Sequence, residues 1–125
     1  MAKTILIADD NPHVRKALCK LFQAEKDYDL CAEAENGKQA IELAQQCHPD
    51  LIILDLSMPV MSGLEAAREL KKLLPTVPII LFTQYENTDS WLPHHPNVDR
   101  IVSKANGNLL MAHVRELAPC SLSGF

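Results

Sequence analysis

At 125 residues the chain has room for one domain with a real core and excludes a second folded one. Its 47% hydrophobic and 22% charged content are those of an ordinary globular protein rather than a disordered one. The net charge of −4 argues against unaided nucleic-acid binding, which relies on Lys and Arg neutralising phosphates. No apolar run approaches membrane-spanning length, and the first residues lead into a strand without a signal-peptide core, so a cytoplasmic protein is expected.

The first element, Thr4 to Ala8, is a run that suits a strand buried on both faces, and it ends in Asp9-Asp10. Asn11-Pro12 reads as a helix cap followed by proline at the first helical position. Val14, Leu18, Leu21 and Phe22 then recur at helical spacing. Asp27 to Asp29 makes the return turn, and Leu30 to Ala34 is a short second strand. Asn36-Gly37 opens a second helix with Ala40, Ile41, Ala44 and Cys47 inward, stopped at His48-Pro49.

Leu51 to Leu54 forms a central strand that runs straight into Asp55, and Met58-Pro59 and Gly63 supply the turn behind it. A third helix starts at Gly63, with an expected buried stripe of Leu64, Ala67, Leu70, Leu73 and Leu74. Ile79 to Phe82 is a fourth strand ending in Thr83. A short fourth helix is expected around Thr88 to Leu92, then a fifth strand, Arg100 to Val102, ending in Ser103-Lys104. A last helix over roughly Gly107 to Leu117 buries Leu109 or Leu110, Val114 and Leu117.

Strand and helix thus alternate five times, which implies an α/β fold: a parallel sheet with helices on both faces, joined by right-handed crossovers. The flavodoxin-like, doubly wound order 2-1-3-4-5 is one such five-stranded arrangement. In that order strands one and three flank the switch point, where ligands bind outside the carboxyl ends of strands. Asp9, Asp10, Asp55, Thr83 and Lys104 all fall on that edge. Carboxylates so close repel one another unless a cation intervenes, and hard oxygen ligands suit Mg²⁺. A hydroxyl and an ammonium beside them suit an anionic, oxygen-rich incoming group such as phosphate.

Taken singly, Asp9 or Asp10 reads as a helix cap, Thr83 as a plain strand end and Lys104 as a solvated charge; their shared registry with four strand ends argues otherwise. Asp89 and Asp99 lie outside that registry and read as surface charges. Cys19, Cys31, Cys47 and Cys120 lack C-x-x-C spacing and read as small buried hydrophobes or idle thiols. The histidines, His94-His95 included, lack metal-ligand spacing.

Asp9-Asp10, the run Asp55-Leu56-Ser57-Met58-Pro59-Val60-Met61-Ser62-Gly63, Thr83 and Lys104 resemble the receiver domain of two-component response regulators. The resemblance covers residues 3–118 and leaves 119–125 as a tail or the start of a linker. It implies that Asp55 accepts a phosphoryl group from a sensor histidine kinase, a phosphotransfer protein or a small donor such as acetyl phosphate. It further implies that Asp10, Asp55 and the Ser57 backbone carbonyl bind Mg²⁺ directly, with Asp9 acting through water, and that Thr83 and Lys104 contact the phosphoryl oxygens.

The implied protein is a phosphorylation switch with weak autophosphorylating and autodephosphorylating activity, not a dedicated enzyme. Its output partner or domain would meet the face of the fourth helix, fifth strand and last helix, and the chain could also form a homodimer. The chain departs from the family at Gln84, usually small; at Ile101, often aromatic; and at Ala105, commonly proline. A haloacid-dehalogenase-type phosphatase would need a second Asp where Ser57 stands. A flavodoxin would need a phosphate loop where Asp9-Asp10-Asn11-Pro12 stands.

Overall fold

A computed structural model describes residues 2–85 and 96–120. Five strands, β1 (Lys3–Ala8), β2 (Tyr28–Ala34), β3 (Leu51–Leu54), β4 (Ile79–Thr83) and β5 (Arg100–Ser103), pair in parallel in the order β2-β1-β3-β4-β5. The helices are α1 (Pro12–Gln23), α2 (Gly37–Cys47), α3 (Gly63–Leu73) and α4 (Leu110–Leu117). The helix expected at Thr88 to Leu92, together with Asp89, His94 and His95, lies outside the described residues.

The central strands are apolar on both sides because helices cover both faces. Ile5, Ile7, Leu51, Ile53, Ile80 and Phe82 pack beneath α1 and α4, against Leu18, Phe22, Leu110 and Val114. Leu6, Ile52, Leu54, Ile79 and Leu81 pack beneath α2 and α3, against Ala40, Ala44, Ala66, Ala67 and Leu70. The alanines let α2 lie close to β1 and β2, and α3 close to α2.

Helix starts follow the cap chemistry of the sequence. The Asn11 side chain accepts from the His13 amide, Asn36 accepts from the Gln39 amide, and Ser62 and Glu65 form a reciprocal capping box at α3. His48, in the left-handed conformation at φ 48°, ends α2.

Three expectations need correcting. Leu73 is 45% exposed; the rest of the expected stripe holds, with Ala67 and Leu70 buried and Leu64 and Leu74 packed at its margin, and Ala66 joins it. The last helix is broken: residues Lys104–Leu109 form a tight 3-10 turn with non-helical backbone at Asn106, and the α-helix begins only at Leu110. Leu110 is therefore the buried one of the two leucines, and Leu109 is 47% exposed. Asp99 is no idle surface charge: its Oδ2 accepts from Lys71 Nζ and from the Ile79 amide, both at 2.8 Å, tying the end of α3 to the start of β4.

Candidate functional site

Each acid stands where its strand's hydrogen-bond ladder runs out. The Asp9 amide donates to the Ala34 carbonyl (3.0 Å) and the Asp55 amide to the Ala8 carbonyl (2.9 Å), so both residues are fixed in the sheet while their side chains pass its edge. Carboxylate oxygens of Asp9, Asp10 and Asp55 all lie within 4.8 Å of one another. Asp9 and Asp55 are buried, and Asp10 is exposed at the mouth of the group. Neither Asp9 nor Asp10 caps α1, a task that belongs to Asn11.

Asp9 is held from several directions. Its Oδ1 accepts from the Asn11 amide at 2.9 Å, its Oδ2 accepts from Lys104 Nζ at 2.8 Å, and its backbone carbonyl accepts from Arg15 Nη1 at 2.7 Å. Arg15 also pairs with Glu33 at 3.5 Å. Spacing gave no hint of this residue, because it acts on the backbone behind the acids rather than at the edge itself.

The loop after β3 is fitted to Asp55 by close backbone approach. The Gly63 amide donates to the Leu56 carbonyl at 2.9 Å, and a Cβ on Gly63 would lie 2.1 Å from the Asp55 carbonyl oxygen. Only glycine fits there. Between them, Met61 N–H donates to the Pro59 carbonyl at 2.7 Å across Val60, a β-branched residue held at φ 71°. Such a conformation costs of order 1–2 kcal/mol and persists only where the surroundings enforce it. Ser57 is exposed on this loop.

From the other side come Thr83 and Lys104. Thr83 is fully buried, and its Oγ1 accepts from the Tyr85 amide at 3.3 Å. Ser103, paired in register with Thr83 on β5, accepts from the Ala105 amide and so starts the turn that carries Lys104. Lys104 Nζ lies 3.3 Å from Asp55 Oδ1 as well as 2.8 Å from Asp9. All five edge residues read from the sequence are therefore in one region; Ser103 was legible there only as a strand-end residue.

The charges do not balance, since three carboxylates face one ammonium. Burial, and then the charge of Asp9, push the Asp55 carboxyl above its ordinary range against the pull of Lys104. Burial draws the Lys104 ammonium down, but its bond to Asp9 and the charges of both acids outweigh that and hold it above the usual lysine value. Asp9 has the closer hold on Lys104, which leaves Asp55 under-neutralised. A hard divalent cation fits this all-oxygen set, and Asp10, Asp55 and Asp9 are the residues that could hold it.

The family model for the response regulator receiver domain matches residues 5–115. The chain belongs to that family. Its receiver fold is shared with TrrA from Thermotoga maritima, solved in complex with Mg²⁺-BeF, at 38% identity and a TM-score of 0.81, covering 92% of this chain and 98% of that one. The signal receiver domain of a histidine kinase from Syntrophus aciditrophicus is similar at 30% identity and a TM-score of 0.80, covering 99% and 97%. In sequence the receiver is 43% identical over 106 residues to the transcriptional regulatory protein YdfI of Bacillus subtilis, which covers 85% of this chain but 46% of that regulator. The chain thus spans about half the length of that curated relative. Among the described residues no helix is long and apolar enough to cross a membrane.

Proposed function

We propose that Asp55 is a phosphoacceptor. A carboxylate oxygen of Asp55 attacks the phosphorus of a phosphohistidine on a sensor histidine kinase or phosphotransfer protein; the P–N bond breaks, and the departing imidazole nitrogen takes up a proton. The observation that carries this reading is the under-neutralised Asp55, 3.3 Å from Lys104 and within the three-carboxylate group. Phosphoryl transfer asks a protein chiefly for an aligned nucleophile and charge neutralisation.

Asp10, Asp55 and the Ser57 backbone carbonyl would hold Mg²⁺, with Asp9 acting through water, and the ion would supply positive charge to offset that on the transferring group. Asp55 keeps its place because the β1 ladder and Gly63 fix its backbone on both sides. Lys104, released from Asp9, pairs with the phosphoryl oxygens, and the Thr83 hydroxyl, which accepts from the Tyr85 amide, donates its proton to the same group. The phosphoryl brings a charge approaching about −2 and strong acceptor oxygens, enough to draw both residues inward and shift β4 and β5.

The receiver unit is residues 3–118, and its switching controls an output partner or domain. Incubation with acetyl phosphate and Mg²⁺ should add one phosphate by intact mass, and chelation or Asp55→Asn should abolish it. Equal labelling of Asp55→Asn would refute the assignment.

A further inference from the structure

Strand β2 forms one edge of the sheet, and its register against β1 slips once: Ile5 pairs with Leu30 and Leu6 with Ala32, leaving Cys31 as the extra residue. A bulge of this kind bends a strand and re-aims a side chain. Here it turns the strand over. Tyr28 and Leu30 belong to the core layer beneath α1, whereas Cys31, Ala32 and Ala34 belong to the layer beneath α2.

Cys47, the last residue of α2, meets Cys31 in that layer. The two sulfurs are 2.8 Å apart, less than about 1 Å from the S–S bond length of about 2.05 Å. Both residues are half-buried, open enough for a small oxidant to reach. Cys19 on α1 and Cys120 beyond α4 lie elsewhere, the latter with its thiol on the Asp27 carbonyl.

We propose that Cys31 and Cys47 form a peroxide-sensitive dithiol that closes reversibly to a disulfide, stapling the edge strand to the end of α2. The Cys47 sulfur attacks one peroxide oxygen and the O–O bond breaks, giving a sulfenic acid and, with the thiol proton, one water. The Cys31 sulfur then attacks that sulfur; the S–O bond breaks and the leaving hydroxide takes the Cys31 proton as a second water. Two thiols lose two electrons to one hydrogen peroxide. Burial and the hydrogen bond with the neighbouring thiol push the Cys31 thiol up to about 12, which keeps it protonated and disfavours it as the first nucleophile. At its other end α2 meets the site loop, where the Gly37 amide donates to the Met61 carbonyl at 3.2 Å. The staple therefore fixes the helix on which that loop rests.

Treating the full chain with equimolar hydrogen peroxide tests this. The protein should lose about 2 Da, and its titratable thiols should fall from four to two, both reversed by dithiothreitol. Trypsin cuts after Lys26, Lys38 and Arg68, so Cys31 and Cys47 fall in separate peptides that should appear linked under non-reducing conditions. Cys19→Ser with Cys120→Ser should leave the linkage intact, and Cys47→Ser should abolish it. Four surviving thiols, a linkage involving Cys19 or Cys120, or oxygen added to Cys47 with Cys31 still free would each overturn the proposal. The wild-type peptide map decides the question even if a variant folds poorly.

Discussion

The β1–β3 side of the site and the β4 side are held to different degrees. Asp9 is gripped at both carboxylate oxygens and at its backbone carbonyl, and Asp55 is pinned between the β1 ladder and Gly63. Thr83 is just as buried, yet its hydroxyl bonds at 3.3 Å to an amide only two residues along the chain. A long, local hydrogen bond between neutral groups is worth about 1 kcal/mol or less and is readily exchanged. The acid side is thus tightly held, whereas the threonine hydroxyl is held loosely.

The most severe break of the fixed side is Gly63→Ala. The added methyl must displace the Asp55 backbone, and the loss should be about 3 kcal/mol in urea unfolding. A loss under about 1 kcal/mol would mean that this backbone yields and that the contrast with β4 is overstated.

Lys104→Met should cost less, about 2 kcal/mol, because Asp9 keeps the Asn11 amide but loses its ammonium. Added Mg²⁺ should restore part of that loss if the same carboxylates accept the cation. The pH dependence follows from the raised folded value of Lys104: its contribution is complete below the ordinary 10.5 and disappears as pH rises through the folded value. Melting curves of wild type and variant should accordingly converge in strong alkali, and a gap that persisted there would assign the loss to packing.

Asp55→Asn should have the smallest effect and the opposite sign. The raised folded pKa of Asp55 means that its protonated form favours folding; this benefit is complete below 3.8 and is lost as pH rises through the folded value. At neutral pH without metal the asparagine variant should melt higher than wild type, and the gap should close in acid. A variant less stable at neutral pH would show that Lys104 already neutralises Asp55.

The strands and the edge positions of Asp9, Asp10, Asp55, Thr83 and Lys104 were legible because buried parallel strands read as apolar runs whose polar ends declare themselves, whereas the strand order is not written in those runs and came from the doubly wound fold type. Three other features depend on contacts that periodicity does not encode. Asp99 lies outside the edge registry, and only the fold brings Lys71 and the Ile79 amide to it. Arg15 acts on a backbone carbonyl, for which no side-chain spacing exists. Cys31 occupies a bulge, so alternation along β2 fails at that residue and its partner Cys47 is invisible in the pattern.

Calorimetric titration with Mg²⁺ tests the contrast between the two sides most directly, in wild type, Asp10→Ala and Thr83→Val. A tightly held acid side predicts one binding site, weakened about tenfold or more by Asp10→Ala and left within about twofold by Thr83→Val. Mg²⁺ affinity that survived Asp10→Ala, or that fell equally with Thr83→Val, would contradict it.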